Sequence, residues 1–221
     1  MGPSQRAARA MLASGVVLLV AWSSGCFGTT VRNEPIRYWV LDSLPGPPGT
    51  DGPRRVLGIG PVDLPAHLDR PGIVTREGEN RLRVASLDQW GEPLKRGVKR
   101  VLSENLSVLQ PGLKTLSFPW KGPVEPEIQL ALSVTRLDAR RDREVELLVS
   151  WVLRSTRDSK ELVLETSWIK EPTTSDGVEG VVAALGRALE RLSRELDPAL
   201  RDAFARVGDR SPAPEAGGPG S

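Results

Sequence analysis

Three stretches in the second half of the chain alternate apolar and polar residues with period two. Ile128, Leu130, Leu132 and Val134 make the first; Val145, Leu147, Val149, Trp151 and Leu153 the second; Leu162, Leu164 and Trp168 a weaker third. Such alternation puts all the apolar side chains on one face of a strand. The polar segments Arg140–Arg143 and Asp158–Ser159 between them predict turns, so the three strands form an antiparallel meander. Upstream, Arg37–Ser43 and Arg55–Val62 have the aromatic and β-branched content of strands. They flank a Pro/Gly loop, Leu44–Arg54, that regular structure does not accommodate. Ile73–Arg76 and Arg81–Ala85, joined by Glu77–Asn80, predict a hairpin. Two segments change to a helical period. Leu87, Trp90, Leu94, Val98, Val101, Leu102, Leu106 and Leu109 form one stripe, with Asp88 as the expected N-cap and Pro93 in the first turn. Val178, Val181, Val182, Leu185, Leu189, Leu192 and Leu196 form the other, capped by Thr174 or Ser175 and interrupted or ended at Asp197-Pro198. The predicted fold class is α+β: a single domain with a mixed or antiparallel sheet covered on one face by two amphipathic helices.

The N-terminus has a different pattern. Arg6 and Arg9 precede the apolar run Met11–Trp22, followed by Ser23, Ser24, Gly25 and Cys26. A run this short does not comfortably cross roughly 30 Å of hydrocarbon as a permanent helix, and it has the layout of an export signal. Small residues before the only cysteine resemble a bacterial lipobox. That resemblance implies cleavage before Cys26 and acylation of its thiol, so that the mature protein is anchored to a membrane without spanning it. The expected organisation is a signal peptide over 1–25, a tether over 26–35, a folded domain over 36–207, and a disordered tail over 208–221 that contains Ser211–Ser221 (SPAPEAGGPGS).

Composition narrows the chemistry. Thirty Lys+Arg balance 28 Asp+Glu for a net charge of +2, which gives no bulk electrostatic basis for nucleic-acid binding. One Cys excludes an internal disulfide and Cys-cluster metal sites, and one His excludes multi-histidine zinc. No metal or cofactor is expected. His67 is the sole imidazole. Asp69 is two residues away, but no serine lies in a G-x-S-x-G context. Gly58-Ile59-Gly60 follows a strand but lacks the third glycine of a dinucleotide fingerprint, and there is no P-loop run. Asp138, Asp142, Glu144 and Glu146 read as exposed charges around a turn. The chain is not expected to be an enzyme.

Several segments together resemble the ABC-type transport auxiliary lipoproteins, the PqiC-like family. Tyr38-Trp39-Val40-Leu41-Asp42 is similar to the opening strand of that family. The run Ile59–Pro71, containing Leu64-Pro65-Ala66-His67-Leu68-Asp69-Arg70-Pro71, followed by Ile73-Val74-Thr75-Arg76, is similar to its most distinctive segment. Trp90-Gly91-Glu92-Pro93-Leu94, Leu102-Ser103-Glu104-Asn105-Leu106, Pro119-Trp120 and Arg136-Leu137-Asp138 extend the likeness over about residues 36–200. The resemblance implies a periplasm-facing accessory lipoprotein that works with an MCE-domain protein and a permease. Such systems move lipids or other hydrophobic molecules between inner and outer membranes. Phe27 follows Cys26 where enteric inner-membrane lipoproteins usually carry Asp, which implies the outer membrane. Within this frame Leu64, Leu68, Asp69 and Arg70 are the expected partner contacts, because two prolines stiffen the segment and Arg70 offers bidentate bonding. The competing reading of the segment is a structural crossover with both leucines buried. The alternative function is a lipid carrier with its own pocket between sheet and helices. Self-association into a homo-oligomer is compatible with either.

Overall fold

The structure, a computed structural model, describes residues 34–52, 54–141 and 143–208. The signal segment, Cys26 and the C-terminal tail lie outside these. Strands β1 (Arg37–Trp39), β2 (Arg55–Asp63), β3 (Gly72–Arg76) and β4 (Leu82–Trp90) precede helix α1 (Leu94–Leu109). Strands β5 (Leu113–Ser117), β6 (Ile128–Ala139), β7 (Glu144–Ser155) and β8 (Glu161–Pro172) then lead to the long helix α2 (Gly177–Gly208). The strands divide between two sheets, one of order β1-β4-β3 and one of order β5-β2-β6-β7-β8.

The α+β class holds, and β6 and β7 pair as their alternation requires, with Leu132 facing Trp151. The weaker third stripe is corrected: Trp168 faces Leu148 on the outer side of the sheet, Leu164 and Trp168 are each 62% exposed, and Ile169, opposite Leu147, is the buried residue of β8. Strand β2 joins the larger sheet through parallel pairing on both sides, with Leu57 opposite both Thr115 and Ile128. The register of β2 against β6 shifts between Ile59 and Val62. Gly60 and Pro61 sit in that gap. Gly60 has φ +113°, a conformation that glycine tolerates, and Pro61 has no N–H for the ladder.

The inward positions of β6 and β7, from Ile128 and Leu130 to Leu147, Val149 and Leu153, are buried beneath the helices. Helix α2 lies over β6–β8 and α1 over β2 and β5, side by side. The helical stripes are core, as expected: Val101, Leu102, Leu106, Leu192 and Leu196 are at most 1% exposed. One polar side chain ties the layers together. Asn105, fully buried on α1, accepts a hydrogen bond from the Leu44 N–H at 2.7 Å and donates to Ser193 Oγ on α2 at 3.1 Å. Both ends of its amide are thereby engaged, which removes the cost of burying it.

Three further elements differ from the sequence reading. Leu87 and Trp90 belong to β4, not to a helix, and Asp88 is a strand residue that caps nothing; α1 starts only at Leu94, with Pro93 at its N-cap. Strand β5 was not foreseen. Helix α2 passes through Asp197-Pro198 and ends at Gly208. Pro198 is exposed, as is Arg194, whose carbonyl loses its intrahelical partner, so that carbonyl can be hydrated. Among the described residues, no helix is long and apolar enough to cross a membrane.

Candidate functional site

Leu64–Pro71 connects the two sheets, running from the end of β2 to the start of β3. Its centre is a single 3-10 turn, Ala66–Leu68. Leu68 N–H donates to the Pro65 carbonyl at 2.9 Å, Asp69 N–H to Ala66 at 3.2 Å and Arg70 N–H to Leu68 at 2.9 Å, while the Pro71 carbonyl accepts from Trp90 N–H at 2.8 Å. With prolines at both ends and three N–H groups bonded back within the turn, the segment has limited freedom left to lose. Leu68 is 5% exposed and part of the core; Leu64 is half-buried against it. Asp69 and Arg70 are exposed, and neither forms an ion pair or side-chain hydrogen bond among the described residues. The four residues thus separate by depth. Two fix the turn, and two present adjacent opposite charges to solvent. His67 is half-buried, and its Nε2 is buried without a hydrogen-bond partner. Cys26 lies outside the described residues.

A second feature is set by alternation along β1, which sequence reading recognised only as a strand. Ile36, Tyr38 and Val40 are 45%, 66% and 55% exposed. Arg37 and Trp39, between them, point to Asp88 on β4. Arg37 Nε and Nη2 donate to the two carboxylate oxygens at 2.7 and 2.8 Å, and Trp39 Nε1 donates to Oδ1 at 2.9 Å. Burial pushes the Asp88 carboxyl up, but these hydrogen bonds and the charges of Arg37 and Arg141 outweigh it and hold the group below the ordinary carboxylate range. The clamp fixes β1 in parallel register against β4 and so fixes which side chains face outward.

The Phe118–Trp120 loop folds back over β2. A Cβ placed on Gly58 would lie 2.6 Å from Trp120 Cζ3 and 2.9 Å from Pro126 Cγ, so glycine is what lets the indole lie on the strand. Trp120 is half-buried there, and Phe118 is 39% exposed and meets it edge-on at 5.1 Å. The Gly58–Gly60 pair therefore serves packing and chain direction. Where β3, β6, β7 and α2 meet, an apolar cavity lined by Ile73, Leu137, Val145 and Leu185 measures about 20 Å³. Apolar cavities that admit even a benzene-sized guest measure about 150 Å³. An acyl chain has no room in it. Among the described residues, no three His, Cys, Asp or Glu side chains are grouped as metal ligands would be.

The sequence matches the model of the ABC-type transport auxiliary lipoprotein component family over residues 41–197. No curated protein matches it significantly. Among solved structures, an uncharacterised protein is similar at 20% identity with TM-score 0.63, over 76% of this chain and 99% of its own. A Xanthomonas campestris protein of the DUF330 family is similar at 15% identity with TM-score 0.59, over 80% of this chain and 99% of its own. At these identities the two structures establish the shared fold. The family is described as an auxiliary component of transport, not as its catalytic part. From the match across the folded region, the chain belongs to the ABC-type transport auxiliary lipoprotein component family.

Proposed function

We propose that the protein is a non-catalytic docking subunit of an MCE/ABC-type system that moves lipids or other hydrophobic molecules between the inner and outer membranes. In this reading, acylated Cys26 holds it on the periplasmic face of the outer membrane, residues 26–35 serve as tether, and the folded domain engages the MCE-domain protein of the same system and, through it, the permease. The observation that carries the docking role is the rigid Leu64–Pro71 turn, which presents unpaired Asp69 and Arg70 from a base fixed by Leu68. A preorganised charged turn of this kind loses little conformational entropy on association, and its two charges set orientation.

The test separates contact from stability. Arg70→Glu and Asp69→Lys should leave the melting temperature unchanged and abolish co-purification with the MCE-domain protein from detergent-solubilised envelopes. Leu68→Ser should lower the melting temperature, because it places a hydroxyl in the core. Full retention of the partner by the Asp69→Lys/Arg70→Glu double variant rejects docking through this turn. For the anchor, Cys26→Ser should leave a larger precursor that takes up no fatty-acid label. A Cys26→Ser protein that matures normally and still sediments with membranes would reject it, and fractionation chiefly with inner membranes would reject the outer-membrane placement.

A further inference from the structure

The β6–β7 turn carries Arg140, Arg141 and Arg143, and the fold brings it against the β3–β4 hairpin, which supplies Thr75, Arg76, Arg83 and one carboxylate, Glu77. Together these side chains line an open concavity of about 610 Å³. The first residue of α2, Gly177, forms part of the same wall. The positive end of a 32-residue helix therefore opens toward five guanidinium groups.

Local carboxylates account for only part of that charge. Asp138 Oδ1 accepts from Arg76 Nη2 at 2.8 Å, and Glu77 pairs with Arg83 at 3.0 Å and with Arg81 at 3.1 Å. Arg140, Arg141 and Arg143 form no ion pair among the described residues. The charge of Arg141 acts on Asp88, but the hydrogen bonds that carboxylate accepts come from Arg37 and Trp39. Asp142, in the same turn, lies outside the described residues.

Buried polar atoms without partners also gather here. Thr75 is 2% exposed and its Oγ1 is buried with no hydrogen-bond partner; the same is true of Arg76 Nε and Arg141 Nε. A buried donor left unmade costs about 1–3 kcal/mol. Three such donors on residues lining one concavity are what a site built to receive acceptor oxygens requires.

We propose that this concavity is an anion site for a phosphate group, of the phosphomonoester or phosphodiester class found in phospholipid headgroups. Guanidinium forks match the several unesterified oxygens of phosphate, and the Thr75 hydroxyl adds a directed donor at the floor. The polar lining suits a headgroup, not acyl chains. The assignment stands on these side chains and is independent of the transport role.

The test uses the full chain purified in a non-ionic detergent, titrated calorimetrically with inorganic phosphate, with dihexanoylphosphatidylglycerol, and with dihexanoylglycerol as the phosphate-free control. Saturable one-to-one binding of a phosphate-bearing probe is expected, with none of the control. Arg141→Gln/Arg143→Gln should weaken it at least tenfold and Thr75→Val several-fold, with no fall in melting temperature, since each removes a buried donor that lacks a partner. The equal charge loss in Lys114→Gln/Lys121→Gln, at exposed positions elsewhere, should leave it within twofold. Equal affinity for both phosphate probes identifies phosphate itself as the recognised group, whereas binding of the lipid alone identifies the headgroup; either supports the site. Should the double arginine variant fail to fold, Thr75→Val and Arg143→Gln alone decide the matter by the same criterion. Absence of binding by both probes overturns the assignment, and so does equal weakening by the lysine pair.

Discussion

Asp88 gives the sharpest quantitative test of how β1 is held. Replacing it with Ala removes the acceptor for the Trp39 indole N–H, which sits half-buried at 2.9 Å, and an orphaned donor of that kind costs about 1–3 kcal/mol. The Arg37 side chain is 64% exposed and rehydrates when freed, so its ion pair adds only about 0.2–1 kcal/mol. The expected loss at pH 7 is therefore about 1–4 kcal/mol. Asp88→Asn keeps an oxygen for Trp39 but turns amide hydrogens toward the guanidinium, and about half that loss is expected. The pH dependence has a fixed sign. The folded-state carboxyl titrates below the unfolded value of about 3.9, so its stabilisation is fully present above that pH and is lost as pH falls through the folded value. Urea unfolding of the parent and Asp88→Asn at pH 7, 5, 4 and 3 should show a constant gap down to about pH 4 and a shrinking one below. A gap that stays constant to pH 3, or an Asp88→Ala protein within about 0.5 kcal/mol of the parent, would refute the clamp.

Gly58→Val should destabilise by about 1–3 kcal/mol and change the near-UV circular dichroism, because the new side chain displaces the Trp120 ring; an unchanged spectrum would place the indole elsewhere. Leu102→Ala, at a fully buried position of α1, should cost about 2–5 kcal/mol in chemical denaturation without altering helix content. Pro198→Ala should stabilise by about 1–2 kcal/mol, the recovered helix bond outweighing the added freedom of the unfolded chain; a lower melting temperature would show that α2 relies on the proline.

What could be read without coordinates was what a single periodicity settles. The β6–β7 pair alternates buried and less buried positions along twelve-residue strands, so its pattern leaves no competing interpretation. In β8 large apolar residues fall on both faces, and the inward one is Ile169, not Leu164 or Trp168. The β4–α1 boundary is obscured because Leu87, Trp90, Leu94 and Val98 fall at spacings that suit a helix, although in the strand the first two lie on opposite faces and only Trp90 packs against the core; Pro93 is the better marker of where the helix begins. Strand β5 is short, at the sheet edge, and buries chiefly Leu113, so it leaves almost no periodic trace. Division into two sheets depends on which strands meet, and local pattern does not encode that. In the Leu64–Pro71 turn the residue types were legible but their depth was not. The arginine concavity depends on a hairpin and a turn more than sixty positions apart in places, joined only by the fold, as Arg76 and Asp138 are.

The parallel pairing of β2 also dictates an order of assembly. Its two neighbours come late in the chain, Leu113 opposite Arg55 and Ile128 opposite Leu57, so closing either ladder requires ordering a long intervening loop. The β6–β7–β8 meander needs only short turns, and α2 follows it directly. Formation of this C-terminal half first, with β2 and then β5 docking onto its β6 edge, is the kinetically economical route. A chain made N-terminus first would therefore expose β2 long before the strands that fasten it exist. Its apolar segment over Val56–Val62 is in that interval open to pairing with its counterparts on other chains, so exposure to strand-edge association is built into the strand order of this sheet.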